Sequence, residues 1–243
     1  MRTVCGMARR VQTLIGRGRK PVAPVAGVRP LAGGRRALLT GRIGEQRRGG
    51  ARLDQVDGTT CGSAVLVALS AWADPAETLR LDGESVAGAA TAGPSRTTAS
   101  AGVTIGFGAR YDQRQRQVHR ESTRLWPQAL GTSPWGMVTW LRRHAPGAGP
   151  YRVRLVDDVS TADVAAALAA AAAALTAGRP VPMLVGPLVP RHYVMALGLH
   201  SGGWRVYEPT SGQVRPLDLD LVRRRRLGPV LGFDRLHALL LPT

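Results

Sequence analysis

The chain has 243 residues, of which 44% are hydrophobic and 5% aromatic, so it is long enough to bury one substantial core or two small ones. Only two cysteines occur, Cys5 and Cys61, which excludes a disulfide-rich miniprotein and favours a reducing compartment. No run reaches the roughly 18 consecutive apolar residues that a membrane-spanning helix needs. The N-terminal residues also lack the apolar core of a secretory signal, so the sequence predicts a cytoplasmic protein.

The formal net charge of +17 is concentrated at the N-terminus. Residues 1–52 hold 13 basic residues and a single acid, Glu45, among many Gly and Pro. Such a composition buries too little apolar surface to offset chain entropy, so we predict that residues 1–52 are disordered. A disordered basic tail predicts weak contact with nucleic acid or with an anionic surface through phosphate groups.

The remaining residues, 53–243, form the second predicted unit, and its first element is a helix. Residues 63–73 (SAVLVALSAWA) are apolar on nearly every side, which is typical of a helix in the centre of a domain. Cys61 lies at the start of this helix. Residues 83–108 are rich in Gly, Ala, Ser and Thr, and this composition predicts a long loop.

Two further helices follow the loop. Thr132 or Ser133 can cap a helix that has Pro134 at its first position, the position where proline is best tolerated. An Ala-rich helix is predicted over residues 162–176, capped by Ser160 or Thr161 and ended near Gly178.

From Val181 onward the pattern changes from helices to strands. The segments VPMLVG, HYVMALGLH and WRVYEP predict three strands, and Ser201, Gly202 and Gly203 supply turn residues between the last two. Helices first and antiparallel strands afterwards predict an α+β domain.

Four residues in the 53–243 unit have the types and order needed for thiol chemistry. Cys61 at a helix start would be stabilised as a thiolate by the positive end of the helix dipole. His192 opens a strand and could exchange protons with the thiol, while Glu208 could orient its ring. Gln55, together with the Cys61 backbone N–H, could donate hydrogen bonds to an oxyanion.

These residues carry a resemblance to a known family. The segments QVDGTTCGSAVLVAL and RHYVMALGLHSGGWRVYEPTSG resemble papain-like cysteine peptidases, and are closest to the bacterial double-glycine (bacteriocin) leader peptidase type and its stand-alone relatives. The resemblance implies a papain-like fold and proteolysis of a peptide or protein substrate. It further implies a nucleophile at Cys61, a base at His192, an orienting residue at Glu208 and an oxyanion donor at Gln55.

Strand register decides whether this set of residues can assemble. A two-residue turn at Ser201 and Gly202 would place Glu208 opposite Met195, on the other face of the sheet from His192. The pair therefore requires a β-bulge or a displaced register.

A second function class stays open at this point. The same fold without chemistry would be a catalytically inactive papain-like domain that binds a peptide or protein partner, with the basic tail as its anchor to anionic surfaces. His119, His144, His200 and His237 are dispersed and lack the spacing of a zinc site, so no metal is predicted. The glycine-rich segments lack the Lys and Ser or Thr of a phosphate-binding loop, and no cofactor is predicted either.

Overall fold

The computed structural model of the protein describes residues 1–16, 37–84, 105–123 and 131–243. Within those residues the chain forms one helix, three short strands and four helices in its first part, and mainly strands in the part that follows. The helices are α1 (Val4–Ile15), α2 (Cys61–Ala73), α3 (Pro75–Asp82), α4 (Phe107–Ser122), α5 (Pro134–His144), α6 (Thr161–Thr176), α7 (Leu219–Arg224) and α8 (Gly228–Leu231). The strands are β1 (Gly44–Glu45), β2 (Arg47–Arg48), β3 (Ala51–Arg52), β4 (Tyr151–Leu155), β5 (Val181–Gly186), β6 (His192–His200), β7 (Gly203–Glu208), β8 (Gln213–Asp218) and β9 (Arg235–Pro242).

Seven of these strands form one antiparallel sheet with the order β1-β8-β7-β6-β5-β9-β4. Strands β5 to β8 follow one another along the chain and in space, as in a meander. The last strand, β9, inserts between β5 and the early strand β4, while β2 and β3 form a separate hairpin. The α+β class predicted from the sequence is confirmed.

Both faces of the sheet are covered, which explains why its central strands are almost continuously apolar. Alternate residues of β6 point to opposite sides: Tyr193 and Met195 pack into the core that contains α2, and Val194 and Ala196 pack into the core that contains α6. Twelve of the 13 residues of α2 are buried. The prediction that this helix lies in the centre of the protein is confirmed.

The predicted helix boundaries are confirmed at α5 and α6. Ser133 caps α5 by accepting a hydrogen bond from the Gly136 N–H, with Pro134 in the first turn. Ser160 caps α6 in the same way, through the Asp163 N–H. After α6 the chain turns at Gly178, whose φ of 73° is a conformation that glycine adopts without strain.

The prediction that residues 1–52 are disordered is wrong for residues 1–16 and 37–52. Residues 1–16 contain α1, and residues 37–52 contain β1, which pairs with β8 at the edge of the main sheet. Helix α1 is held by polar contacts such as the pair of Arg2 with Asp157 at 3.3 Å, together with packing of Cys5 against the core. Composition alone therefore gave the wrong expectation. The remaining part of the predicted tail, residues 17–36, lies outside the described residues.

The predicted loop over residues 83–108 lies mostly outside the described residues as well. At its two ends, Gly83 closes α3 in the left-handed conformation and α4 begins at Phe107. Among the described residues, no helix is long and apolar enough to cross a membrane.

Candidate active site

Cys61 is the first residue of α2 and is 5% exposed. The residue before it, Thr60, makes no side-chain cap, because its hydroxyl hydrogen-bonds with the N–H and C=O groups of Asp57 instead. Among the described residues, the N-cap side chain therefore leaves the first N–H groups of α2 uncapped. Uncapped N–H groups at a helix start favour a negative charge at this position, as a thiolate requires.

Gly62, next to Cys61, allows the surrounding structure to pack closely against the first turn of α2. A Cβ atom at this position would lie 3.1 Å from Cβ of Thr132 and 3.2 Å from Cδ2 of Tyr193. Both distances are tighter than ordinary van der Waals contact. A glycine after the cysteine is thus explained by packing.

The structure brings His192 and Glu208 together. Nε2 of His192 donates to Oε1 of Glu208 over 2.8 Å, and each residue is 5% exposed. Nδ1 is then the ring nitrogen available to a further group, and Cys61 lies close enough to contribute to the raised pKa of the His192 ring. The side chain of Phe233 covers the His192 ring, with centroids 5.8 Å apart.

A β-bulge makes this pair possible. The turn has two residues, so His200 pairs with Gly203, but the register shifts at Leu197, which is left without a partner. Met195 consequently pairs with Tyr207, and continuing this register places Glu208 opposite Val194. Val194 is two residues from His192, so the carboxylate and the ring lie on the same face of the sheet.

The turn after Glu208 holds its carboxylate from the other side. Oε1 also accepts the Thr210 N–H (2.8 Å), and Oε2 accepts both the N–H (3.0 Å) and the hydroxyl (2.7 Å) of Ser211. Sequence reasoning missed Thr210 and Ser211. The signal was present, since two hydroxyl residues follow the acid in EPTSG and such residues commonly form local hydrogen bonds in turns.

These contacts change the protonation of both groups. Burial opposes a charge on Glu208, but hydrogen bonds from His192 and Ser211 outweigh it and lower its pKa to about 2. Burial also opposes a charge on His192, but its contacts with Cys61 and Glu208 raise its pKa to about 9. His192 is therefore an imidazolium and Glu208 a carboxylate at neutral pH.

Gln55 is anchored beside the Glu208 turn. Its backbone N–H donates to the Pro209 carbonyl (2.7 Å), and its side-chain oxygen accepts the Thr210 hydroxyl (3.3 Å). One hydrogen of its side-chain amide is committed to the Asp57 carbonyl (2.8 Å). Of the contacts in the described part of the chain, none is a hydrogen bond between Gln55 and Cys61.

The segment before Gln55 is held by buried hydroxyl and amide groups that the sequence did not reveal. The Tyr207 hydroxyl donates to the Leu53 carbonyl (2.6 Å), and the Gln115 side chain donates to the Asp54 carbonyl (2.9 Å). These bonds connect β7 and α4 to the segment of residues 53–60 that leads to Cys61. They fix the backbone that leads into the site.

Among the described residues, two clefts lie away from the candidate active site. One of about 540 Å³ lies between α1 and α6, and one of about 280 Å³ lies between α2, α3 and the end of α5. Neither is lined by the four predicted site residues. In the same part of the chain, no cluster of three or more His, Cys, Asp or Glu side chains is arranged to hold a metal ion.

Comparison with known proteins gives no match: no protein-family model, no curated protein and no solved structure is similar to this chain. The papain-like resemblance therefore stays a prediction.

Proposed function

We propose that the protein is a papain-like cysteine hydrolase that cleaves a peptide or amide bond through an acyl-enzyme on Cys61. The observation that carries the proposal is the buried His192–Glu208 hydrogen bond of 2.8 Å, and Cys61 adds to it by contributing to the raised pKa of the ring. An imidazole that is held by a carboxylate on one side and meets a thiol on the other can activate that thiol as a nucleophile. The substrate class is a peptide or a protein.

The first half of the reaction uses the thiolate–imidazolium pair. The Cys61 sulfur attacks the carbonyl carbon, and the carbonyl π electrons move onto the oxygen. The Cys61 N–H and the side-chain amide of Gln55 donate to this oxyanion. When the C–N bond breaks, the His192 imidazolium gives its proton to the leaving amine, and a thioester on Cys61 remains.

The second half returns the enzyme to its starting state. Neutral His192 takes a proton from water while the water oxygen attacks the thioester carbonyl. The C–S bond then breaks, the product leaves as a carboxylic acid, and Cys61 is again paired with protonated His192. An amine in place of water would make the same site an acyltransferase.

The second candidate is a catalytically inactive domain of the same architecture that binds a peptide or protein partner. Two observations favour it: Cys61 is 5% exposed, and the Gln55 side-chain amide already donates to the Asp57 carbonyl. In such a domain Cys61 would behave as an ordinary buried thiol.

Alkylation kinetics separate the two candidates. We would measure the rate of iodoacetamide labelling of each cysteine against pH by mass spectrometry. Cys5 is an internal reference, because burial raises its pKa to about 11 and leaves about one thiolate in 10⁴ at pH 7. We expect Cys61 to label faster than Cys5 at pH 6 to 7.

The matched variants are His192→Ala, which removes the ring partner, and His200→Ala, which changes an exposed histidine of the same strand. Labelling of Cys61 below pH 7 should be lost in the first and kept in the second. If Cys61 follows an ordinary thiol, with a pKa of about 8.5, or does not label at all, the hydrolase proposal is wrong and the binding domain is favoured.

A further inference from the structure

Helix α1 presents its apolar side away from the protein. Its large apolar side chains recur at the spacing of one helical face and are at least half exposed, rising to 82% at Ile15. A helix on a protein surface normally turns this face inward. We call this row of side chains the apolar stripe; it comprises Val4, Met7, Val11, Leu14 and Ile15.

The opposite side of α1 fixes this orientation. Gly6 is buried so closely against the body that a Cβ atom would lie 3.3 Å from a carboxylate oxygen of Asp157. One turn further along, Arg9 pairs with Asp163 at 3.2 Å. Rotating the stripe toward the core would break these contacts, so its exposure follows from the way α1 is attached.

The apolar surface continues toward the candidate active site. The Val4 N–H donates to the Leu188 carbonyl over 3.1 Å. Leu188 and Val189 are 39% and 49% exposed and belong to the loop 187–191 between β5 and β6. The residue after this loop is His192.

A basic cleft lies next to the stripe. This cleft of about 540 Å³ between α1 and α6 shares Leu14 with the stripe and is lined by more guanidinium groups than carboxylates. Arg10 is exposed there, and the sequence after the helix continues with Arg17, Arg19 and Lys20. The charged residues lining the cleft are Arg2, Arg9, Arg10, Arg154, Asp157 and Asp163.

We propose that α1 docks onto the surface of an anionic lipid bilayer, with the apolar stripe in the interface and the exposed Arg10 on its flank at the headgroup phosphates. A helix with one apolar face and a basic flank has the composition of an interfacial membrane helix. The shape of the apolar stripe fits this proposal. An exposed row of side chains can insert into a bilayer, whereas a protein partner would have to supply a groove to receive it. Docking brings the 187–191 loop to the membrane surface. The inference does not depend on the proposed chemistry.

The test is co-sedimentation of the full-length protein with vesicles. The probes are vesicles of phosphatidylglycerol mixed with phosphatidylcholine and vesicles of phosphatidylcholine alone. The stripe variant is Met7→Gln/Val11→Gln/Leu14→Gln. Its matched control is Ile43→Gln/Leu199→Gln, which changes two exposed apolar residues that lie outside α1. Circular dichroism checks that each variant is folded.

We expect the protein to bind the anionic vesicles, with affinity that falls as salt rises because the headgroup charges become screened. The stripe variant should bind roughly tenfold more weakly or worse, since both buried apolar area and charge set the affinity of such helices. The control should bind like the wild type.

Three results would overturn the proposal. Absence of binding to the anionic vesicles is the first, and equal binding by the stripe variant is the second. The third is a wild-type dimer in analytical ultracentrifugation that the stripe variant converts to a monomer. In that case a second copy of the chain, and not the bilayer, would cover the stripe.

Discussion

Replacing Glu208 by Gln removes one charge from the buried pair while keeping nearly the same shape. The glutamine oxygen can still accept one hydrogen bond, but its NH₂ group faces the N–H and hydroxyl of Ser211, which donate to the carboxylate in the wild type. His192 also loses the anion that stabilises its protonated form. We therefore expect the pKa of His192 to fall.

The size of the fall can be worked out from the structure. The pKa of His192 is about 9 against an ordinary value of 6.5, a difference of about 3 kcal/mol at 1.36 kcal/mol per unit. Burial lowers the pKa, and contacts with both Cys61 and Glu208 raise it. If the two partners share the rise about equally, Glu208→Gln should lower the pKa by about one unit or more.

Proton NMR of the histidine ring C–H groups against pH measures this shift directly, with His192→Ala identifying the resonance. The control is Asp220→Asn, which removes an exposed carboxylate that pairs with Arg223 and should leave the His192 titration unchanged. A pKa of His192 in Glu208→Gln within a few tenths of the wild-type value would refute the role assigned to the carboxylate.

Two further predictions concern stability. Since the pKa of Glu208 is lowered from 4.5 to about 2, the carboxylate stabilises the folded protein above about pH 4.5 by up to about 3 kcal/mol, and this contribution is lost as the pH falls toward 2. In urea unfolding, the wild type should therefore lose its stability advantage over Glu208→Gln across that pH range. A stability difference that stays constant with pH would contradict this prediction. Leu69→Ala in the buried helix α2 should lower the free energy of unfolding by about 2–5 kcal/mol. Leu199→Ala, at a half-exposed position of β6, should lower it by less than about 1 kcal/mol. Equal losses in the two variants would show that α2 is not the centre of the core.

Local signals in the sequence were sufficient for several central elements of the fold. The continuous apolar run after Cys61, the Ser160 cap and the turn at Ser201 and Gly202 each specify structure within a few neighbouring residues. The structure has α2, α6 and the β6–β7 hairpin where these signals predicted them. The order of the sheet was not accessible in this way, because β9 inserts between β5 and β4 through contacts distant in sequence.

The same distinction explains the errors at the N-terminus. The contact between Arg2 and Asp157 joins residues 155 positions apart, and no local pattern in a basic, Gly-rich segment indicates such a partner. The candidate site falls between these cases. Its residues could be chosen by type and order, but the bulge at Leu197 that brings His192 and Glu208 to one face is a feature of strand pairing.

The strand pairing beyond that bulge makes the site depend on the number of residues at the start of β6. Leu197 has no pairing partner in β7, so a substitution there leaves the number of residues in β6 unchanged. Deleting it would remove the bulge but keep the pairs Ala196–Val206 and Met195–Tyr207, so Glu208 would stay on the same face of the sheet as His192. Among diverging copies of this chain, an insertion in the turn at residues 201–202 or loss of the residue between Ala196 and Gly198 would be absorbed, whereas loss of the residue between His192 and Val194 would turn the imidazole to the other face of the sheet and separate it from the acid at a single step.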